Sequence, residues 1–369
     1  KSTGELDVAL IAGAGDLTAA AVFTRNHAAA APVRMSQVQL SRRKPVRAVV
    51  LNSGCAHAAT GSRGLADARA MVNAAASTVG CSHEEVLVCS TGGIGKVLPV
   101  KKTIEGVMAA GEQLSAGAAA GTAAARAIMT TDTVPKESTH TGEGFTVGGM
   151  AKGAGMVRPE MATMLVVITT DAAAEPATLD AALRSAVDES FHALNIDGCP
   201  STNDTVILLA SGSSGVEPAA TALTEAVSAV CWDLANQLAS DAEGASRVVM
   251  IDVVGASSDA EARIAGRLVA DSALVKSAFY GGDPNWGRLL GALGATDLQF
   301  DPDEFGVAYA GIDIARNGTA VEHDGPELHN AIVNGNFTVT MTIGRGPGHA
   351  RVITTDLTPE YVTFNAEYS

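Results

Sequence analysis

The chain alternates short apolar runs with longer alanine-rich stretches, and this pattern predicts strands connected by helices. The run from Met164 to Thr170, M-L-V-V-I-T-T, is apolar and β-branched, as in a strand that is buried on both faces. Other apolar runs predict buried strands at 46–51, 86–89, 145–150 and 205–209. Helical patterns are expected at about 65–79, 102–114, 117–129, 178–194 and 217–240.

A second unit is expected from about residue 246 onward. Its pattern indicates a strand, a helix, the turn D-P-N-W-G, a short helix and a closing hairpin. We place a domain boundary near residue 245, which predicts a larger domain at 1–245 and a smaller α+β domain at 246–369. A length of 369 residues with 47% hydrophobic residues is sufficient for two such cores.

Composition narrows the classes of partner. The net charge of −15, from 40 acidic and 25 basic residues, repels phosphate backbones, so we expect no nucleic-acid partner. Five cysteines without a C-x-x-C pair and scattered histidines favour neither a disulfide framework nor a metal site. No apolar run approaches the roughly 20 residues of a membrane helix, and the opening K-S-T-G-E-L-D lacks the order of a signal peptide. We expect a cytoplasmic protein with reduced thiols and no membrane partner.

Three glycine-rich stretches fail as nucleotide-binding motifs. S-T-G-G-I-G-K-V at 90–97 lacks the first glycine of a phosphate-binding loop and has Val97 where a hydroxyl is needed. K-G-A-G-M-V-R has Arg158 in place of the third glycine of a dinucleotide motif. G-R-G-P-G at 344–348 lies between two strand-like segments, which predicts a hairpin turn.

Thr163 is the position that calls for a chemical explanation. It lies at the start of the predicted strand 164–170, after a glycine-rich stretch, Pro159 and the small residue Ala162. If the bond between Ala162 and Thr163 breaks, Thr163 gains an α-amino group that can take the proton of its own hydroxyl. Such an amine has a pKa of about 7.7–8.0, so part of it is neutral near pH 7. From the local pattern alone, the simpler interpretation is a threonine that only begins a strand.

The segment A-K-G-A-G-M-V-R-P-E-M-A-T-M-L at 151–165 resembles the signature of the ornithine acetyltransferase family of arginine biosynthesis. Other segments match the family's pattern, in the same order, over essentially the whole chain. They are F-T-R-N at 23–26, L-N-S-G at 51–54, C-S-T-G at 89–92, A-I-M-T-T-D at 127–132, I-D-G-C-P-S-T-N-D-T at 196–205, S-D-A-E-G at 240–244, D-P-N-W-G-R at 283–288 and the C-terminal N-A-E-Y-S. In that family the bond before the signature threonine cleaves itself, so the resemblance assigns the cleavage to Ala162–Thr163 and the nucleophile to Thr163.

The resemblance implies a two-step acetyl transfer. Thr163 attacks N-acetylornithine, releases ornithine and passes the acetyl group to glutamate, with ping-pong kinetics. The Thr91 hydroxyl and the Gly92 N–H correspond to the family's oxyanion donors. The matching substrate-binding positions are Thr130, Lys152, Thr163, Glu243 and Asn365. Lys152 is expected to pair with a substrate carboxylate, and Glu243 with a cationic amine or the Thr163 ammonium. No cofactor or metal is expected, and acetyl-CoA stays open as a second acetyl donor.

The resemblance also implies the fold and the assembly. The expected fold is α/β, an αββα-type sandwich of two sheets between helical layers, with a smaller C-terminal α+β domain. The mature chains 1–162 and 163–369 interlock, and the heterodimers pair into larger oligomers. Asn365 requires the C-terminal tail to fold back onto the site.

The sequence departs from the family's pattern at three places. His57 stands where the family commonly has asparagine, and Ala59 where it commonly has cysteine. The family's tail usually runs one residue past the position of Ser369, to a hydroxyl residue that also binds substrate. These departures leave open the local hydrogen bonding near the site and the last substrate contact.

Two other functions are compatible with parts of the pattern. A hydrolase, such as an aminopeptidase of the related fold, would keep the self-processing threonine but use water to release the acyl group. An unprocessed amino-acid-binding protein would keep an intact chain and bind ornithine without turnover. Acetyl transfer that outpaces acetate release separates the first alternative from the transferase, and chain cleavage separates the second.

Overall fold

The computed structural model describes residues 5–158, 164–298 and 300–367. The chain divides into two compact units. The first comprises Lys1–Phe191 and Cys199–Leu238, and the second His192–Gly198 and Ala239–Ser369. These units are groups of contacting residues, and the boundary near residue 245, with domains at 1–245 and 246–369, stays a prediction.

The first unit contains seven strands and six helices within its described residues. The strands are β1 (Val8–Phe23), β2 (Val46–Asn52), β3 (Val86–Ser90), β4 (Lys136–Thr141), β5 (Thr146–Lys152), β6 (Leu165–Thr170) and β7 (Thr205–Ala210). The helices are α1 (Ala31–Ser41), α2 (Gly61–Val79), α3 (Val100–Glu112), α4 (Ala118–Ile128), α5 (Pro176–Glu189) and α6 (Ala220–Ser240), the last of which runs past the end of the unit. The sheet order is β3-β2-β1-β7-β6-β5-β4.

The long strand β1 connects two halves of this sheet. Its first part pairs with β2, its last six residues pair with β7, and the register shifts between Ala12 and Leu17. The two halves share one apolar core, because every second side chain of each half belongs to the same buried cluster. From β2 and β3 these are Val49, Leu51, Leu87 and Cys89, and from β6 and β7 they are Leu165, Val167, Ile207 and Leu209.

Helices cover the outer faces of the two halves. The alternate residues Ala48 and Val50 of β2 pack with α2, while α3 packs against α2 and β1. On the other half, α5 packs against β1 and β7, and Val230 and Leu234 of α6 lie against Gly149 of β5. Two sheet halves between helical layers form the predicted αββα sandwich, so the predicted fold class is confirmed.

The second unit contains a mixed six-stranded sheet with helices. Its strands are β8 (Val248–Ala256), β9 (Gly306–Tyr309), β10 (Ile312–Arg316), β11 (Thr319–Ala320), β12 (Phe337–Thr342) and β13 (Gly348–Thr355), in the order β11-β10-β9-β12-β8-β13. Its helices are α7 (Asp259–Asp271), α8 (Ala273–Gly281), α9 (Trp286–Gly294), α10 (Gly325–Val333) and α11 (Pro359–Glu367). Phe279, Tyr309 and Phe337 form an aromatic cluster in its core, with ring centroids 5.6–6.2 Å apart.

The hairpin predicted at 344–348 is wrong. β12 pairs in parallel with β8 and β13 pairs antiparallel with the other edge of β8, so the connection crosses β8 instead of joining two paired strands. The glycines are required because the backbones nearly touch at this crossing. A Cβ on Gly346 would lie 2.0 Å from the Ala256 carbonyl oxygen, and one on Gly348 would lie 2.3 Å from the Ser258 carbonyl carbon.

Hydrophobic periodicity also missed several elements of the first unit. β1 contains six alanines and two glycines between its larger residues, so it shows neither a clear apolar run nor a two-residue alternation. β4 is polar and mostly exposed, and α1 has only a weak amphipathic pattern. Among the residues described, no helix is both long and apolar enough to cross a membrane.

Candidate active site

Lys152, at the end of β5, brings two of the predicted site residues together. Its side chain is 2% exposed. Its ammonium donates to the Thr130 hydroxyl at 2.6 Å and to the Thr91 hydroxyl at 3.3 Å. Thr91 follows β3 and Thr130 follows α4, so three separate segments converge at this point. Two predicted site residues therefore lie within hydrogen-bonding distance of a third, the buried Lys152.

Asp132 compensates the charge of this cation. One carboxylate oxygen lies 3.8 Å from the Lys152 ammonium, and the other lies 2.6 Å from the buried Lys136 ammonium. The carboxylate also accepts backbone N–H bonds from Thr130 at 3.0 Å and Gly153 at 2.6 Å. Burial alone would raise the pKa of Asp132, but the two ammonium groups and these bonds outweigh it and hold the pKa at about 2.

Sequence reasoning did not single out Asp132 or Lys136. Asp132 closes the matched segment A-I-M-T-T-D, and Lys136 lies four residues further on, so an acidic residue inside a matched motif was the available signal. An isolated aspartate in a turn is an ordinary feature of sequences, and its burial is visible only in the fold.

The turn after β3 carries the predicted oxyanion donors and is fixed by close backbone contact. Gly92 has φ of +126°, and a Cβ there would lie 2.3 Å from the Gly54 carbonyl carbon and 2.6 Å from the Cys55 nitrogen. The Thr91 N–H donates to the Asn52 carbonyl at 3.0 Å. Only glycine fits at position 92, and the turn has little freedom to move. We refer to Ser90–Gly92 below as the oxyanion turn.

Two of the three departures from the family's pattern, His57 and Ala59, follow β2, and His57 contacts this turn. His57 and Ala59 adopt left-handed backbone conformations, with φ of +53° and +55°. The His57 Nδ1 lies 2.9 Å from the Ser90 hydroxyl, whereas its buried Nε2 has no hydrogen-bond partner among the described residues. Burial lowers the pKa of His57, which favours the neutral ring. Asparagine tolerates a left-handed backbone at least as well as histidine does, so the conformation at position 57 is compatible with the asparagine that the family commonly has there.

Ala162 and Thr163 lie outside the described residues. The nearest described residue after the predicted nucleophile is its covalent neighbour Met164. The Met164 N–H donates to the Asp204 carboxyl at 3.2 Å, and the Met164 carbonyl accepts from the Thr205 N–H at 3.2 Å. Asp204 is fully buried, and its burial raises the pKa well above the usual range despite these hydrogen bonds.

The remaining predicted residues, Glu243 and Asn365, belong to the second unit. Glu243 lies in a turn whose next residue, Gly244, packs against the start of α11, where a Cβ would lie 2.3 Å from the Tyr361 nitrogen. The Thr358 hydroxyl lies within hydrogen-bonding distance of the Gly244 carbonyl. Asn365 is exposed on α11 and donates to the Tyr361 carbonyl at 3.1 Å. The structure thus brings the C-terminal helix to the Glu243 turn, and the predicted roles of both residues stay predictions.

No cluster that could hold a metal ion occurs among residues 5–158, 164–298 and 300–367. All five cysteines are free thiols, and burial raises the pKa of Cys89 and Cys231 to about 12. These two thiols are therefore protonated near neutral pH and are not nucleophiles. The groups that the structure brings together around Lys152 are hydroxyl, ammonium, carboxylate and backbone N–H groups.

Comparison with known proteins extends the resemblance to the whole chain. A family model described as "ArgJ family" matches residues 1–369. Two curated relatives named arginine biosynthesis bifunctional protein ArgJ, from Thermobifida fusca and Streptomyces coelicolor, are 47% and 48% identical, over 100% of this chain and 95% of each relative. A crystal structure of arginine biosynthesis bifunctional protein argJ from Bacillus halodurans matches with a TM-score of 0.52 and 31% identity, over 54% of this chain and 97% of that one.

Proposed function

The chain belongs to the ArgJ family, and from this premise we propose that it transfers the acetyl group of N-acetylornithine to glutamate in arginine biosynthesis. The observation that carries the proposal is the buried cluster of Lys152, Thr91 and Thr130 at the chain segment that leads to Thr163. Identity of 47% over the full chain supports the acetyl-transfer chemistry itself.

Self-cleavage before Thr163 is part of the proposal. The Thr163 hydroxyl attacks the Ala162 carbonyl, and the peptide C–N bond breaks as the acyl group moves to the hydroxyl oxygen and the amine takes the proton. Water then hydrolyses the ester, which leaves a carboxylate on Ala162 and a free amine and hydroxyl on Thr163. The length of the solved relative supports this step. That chain is matched over 97% of its length yet spans 54% of this one, so it is about half as long. Residues 163–369 likewise make up slightly more than half of this chain.

The transfer reaction then proceeds in two acyl-exchange steps. The Thr163 α-amine accepts the proton of the hydroxyl, whose oxygen attacks the acetyl carbonyl of N-acetylornithine. The tetrahedral intermediate collapses with cleavage of the amide C–N bond, the leaving amine takes the proton, and ornithine departs. Glutamate then attacks the acetyl ester with its α-amine, which yields N-acetylglutamate and restores the Thr163 hydroxyl. These two successive steps predict ping-pong kinetics.

The Lys152 cluster explains how the Thr91 hydroxyl can act as an oxyanion donor. Because the Lys152 ammonium donates to the Thr91 oxygen, that oxygen acts as an acceptor and keeps its own proton for another acceptor. The same reasoning applies to Thr130, which is 2.6 Å from Lys152. Donors held in advance at a water-excluded site stabilise a developing negative charge without reorganisation. We assign the Gly92 N–H as the second oxyanion donor.

The resemblance to the family assigns substrate binding to Thr130, Lys152, Glu243 and Asn365. Lys152, with Thr130, provides positive charge and a hydroxyl donor for a substrate carboxylate, while Glu243 and Asn365 recognise the cationic side chain and the polar backbone of the substrate. The relatives are named bifunctional proteins, which supports a second reaction in which acetyl-CoA loads Thr163. We propose a cytoplasmic enzyme whose two processed chains assemble into an oligomer of heterodimers.

The test is an acetyl-transfer assay with purified protein, N-acetylornithine and glutamate. The proposal predicts N-acetylglutamate and ornithine in equal amounts, with little free acetate. Acetate release that equals ornithine release, with or without glutamate, would instead identify a hydrolase. Binding of ornithine to an intact chain without any product would identify a binding protein. A parallel reaction with acetyl-CoA in place of N-acetylornithine tests the second donor.

A further inference from the structure

Asn203 and Asp204 are consecutive residues just before β7, and each forms hydrogen bonds to a different part of the site. Both are almost completely buried, at 4% and 0% exposure. Buried polar side chains cost free energy unless hydrogen bonds compensate, so two in succession call for an explanation. Their hydrogen bonds point to two chain segments that are far apart in sequence.

Asn203 holds the oxyanion turn. Its amide nitrogen donates one proton to the Ser90 carbonyl at 2.8 Å and the other to the Ala56 carbonyl at 2.7 Å. The Ser90 carbonyl belongs to the peptide group whose nitrogen is that of Thr91, so this bond fixes the orientation of the Thr91 backbone. The Ser90 and Ala56 partners are both carbonyls, which only accept, so they identify the amide nitrogen, and the Thr202 hydroxyl donates to the amide oxygen at 2.7 Å.

Asp204 holds the strand that follows Thr163. Its Oδ1 accepts the Met164 N–H at 3.2 Å, and that nitrogen belongs to the peptide group joining Thr163 to Met164. Its carbonyl accepts the Thr24 N–H at 2.9 Å, so the same residue is also anchored to the end of β1. The neighbouring Thr205 N–H donates to the Met164 carbonyl, so both backbone groups of Met164 are hydrogen-bonded to this segment.

We propose that Asn203 and Asp204 form a positioning pair, which sets the Thr163-bearing strand at its working distance from the oxyanion turn. The inference rests on the proposed function, because it takes Thr163 as the nucleophile. Neither residue is given a chemical step. Catalysis by positioning is steep in distance, and a displacement of about 1 Å can cost 10²-fold in rate.

The two side chains hold by different means. Asn203 uses both amide protons, so neither an aspartate nor an alanine at this position could replace it. Asp204 uses one oxygen as an acceptor, while its buried Oδ2 has no hydrogen-bond partner among the described residues. A neutral carboxylic acid meets that requirement as well as a carboxylate does, and an asparagine would keep the acceptor at almost the same place.

Asp171 offers a matched control at the other end of the same strand. It follows β6, and its carboxylate accepts the Thr146 N–H at 2.7 Å, the same kind of bond to strand backbone that Asp204 makes. Removal of Asp171 therefore takes a backbone acceptor from the start of β5, at the end of β6 away from Thr163. A purely structural role for Asp204 predicts that kcat in Asp171→Ala and Asp204→Ala falls only in proportion to the loss of melting temperature in each.

The experiment compares Asp204→Ala, Asp204→Asn, Asn203→Ala and Asp171→Ala in the full chain. For each variant, the rate of cleavage before Thr163 is followed by mass, and kcat, KM and the melting temperature are measured. We expect Asp204→Ala and Asn203→Ala to slow cleavage and to lower kcat about 10²-fold with little change in KM. Asp204→Asn is expected to stay within about 3-fold of wild type, and Asp171→Ala likewise, despite a similar loss of melting temperature.

The proposal is overturned if Asp171→Ala loses as much kcat as Asp204→Ala, or if both Asp204→Ala and Asn203→Ala keep wild-type cleavage and kcat. Should Asp204→Ala fail to fold, Asn203→Ala decides alone against the Asp171→Ala control. A Thr163→Ala variant separates the two levels of the argument. If it is still cleaved or active, the proposed function fails; if it is inactive while the pair variants behave as wild type, only this inference fails.

Discussion

Lys152 in the first unit and Lys276 in the second are both almost fully buried, at 2% and 5% exposure, yet their surroundings differ. The Lys152 ammonium contacts two hydroxyls and lies 3.8 Å from the Asp132 carboxylate. The Lys276 ammonium donates to the Ile196 and Thr355 carbonyls, each at 2.7 Å, and to the Thr354 hydroxyl at 3.0 Å. Burial lowers the pKa of Lys276 to about 8, although Asp197, Asp356 and Asp271 lie near enough to raise it.

The difference separates a lysine suited to chemistry from one that holds the fold. Hydroxyls that accept from Lys152 keep a proton to donate, so that site can present donors to a substrate. Lys276 also donates to the Thr354 hydroxyl, but its two shortest bonds go to carbonyls, which have no proton to pass on. These two bonds tie α8 to the end of β13 and to segment 192–198. Burial of a lysine alone therefore does not indicate a functional site; the chemistry of its acceptors does.

The largest effect is expected from Lys152→Met. The substitution removes the cation and the bonds that orient Thr91 and Thr130, so kcat/KM for acetyl transfer should fall about 10³-fold. Asp132 keeps Lys136 at 2.6 Å, which limits the loss of stability. Steady-state kinetics with N-acetylornithine and glutamate provide the measurement. Lys276→Met is the matched control, and its folded fraction is expected to have wild-type kcat. Equal losses of kcat in both variants would contradict the functional difference between the two lysines.

Lys276→Met should instead lower stability, by about 2 kcal/mol at pH 7, because two buried carbonyls lose their donor. The difference in unfolding free energy between wild type and Lys276→Met should widen at alkaline pH. The folded-state pKa of about 8 lies below the ordinary 10.5, so the unfolded chain binds more protons between these values and wild-type stability rises with pH there. That rise amounts to about 3 kcal/mol for this group. Denaturant unfolding of both proteins from pH 7 to 10.5 measures it, and a constant gap would exclude the assigned pKa.

Asp132→Asn should affect the opposite end of the pH scale. The folded-state pKa of about 2 lies below the ordinary 3.8, so the carboxylate stabilises the fold above pH 4, and this contribution is lost as pH falls toward 2. The expected loss is about 2 kcal/mol. Unfolding free energies measured from pH 5 down to 2.5 should converge for wild type and Asp132→Asn. Parallel curves over this range would show that Asp132 is not held ionised by the lysines.

The smallest effect is expected from His57→Asn. Asparagine tolerates the left-handed backbone at position 57, and the change removes a buried Nε2 that has no partner among the described residues. Stability should rise by about 0.5–1 kcal/mol, while kcat changes by less than about 3-fold since His57 contacts Ser90 and not the donors themselves. Thermal unfolding and the acetyl-transfer assay measure the two quantities. A tenfold loss of kcat would place His57 in the catalytic machinery.

Periodicity predicted the parts of the fold whose side chains are large and apolar. The strands at 46–51, 86–89 and 164–170 were found because each is a run of β-branched and leucine residues. β1 was missed because alanine and glycine carry little hydrophobic signal, although this strand joins the two sheet halves. The local pattern at 344–348 predicts a hairpin, whereas the chain crosses β8 there, because strand order is decided by packing and local pattern carries no signal for it.

The site could be predicted only as far as the family's motifs extend. Lys152, Thr91 and Thr130 were named from those motifs, and the structure brings them together. Asp132, Asn203 and Asp204 lie inside matched segments, but the motifs do not single them out, since their importance comes from burial and from contacts with Gly153, Ser90 and Met164 that only the fold creates. Burial of a polar side chain is a property of the three-dimensional fold, and a single sequence carries no direct signal for it.

Intact mass under denaturing conditions decides whether Thr163 becomes the N-terminal nucleophile of its own chain. The measurement compares wild type with Thr163→Ala. We expect two wild-type fragments that break between Ala162 and Thr163, and a single unbroken chain for the variant. An unbroken wild-type chain that still transfers acetyl groups would contradict this expectation, and Thr163 would then be only the residue that begins a strand.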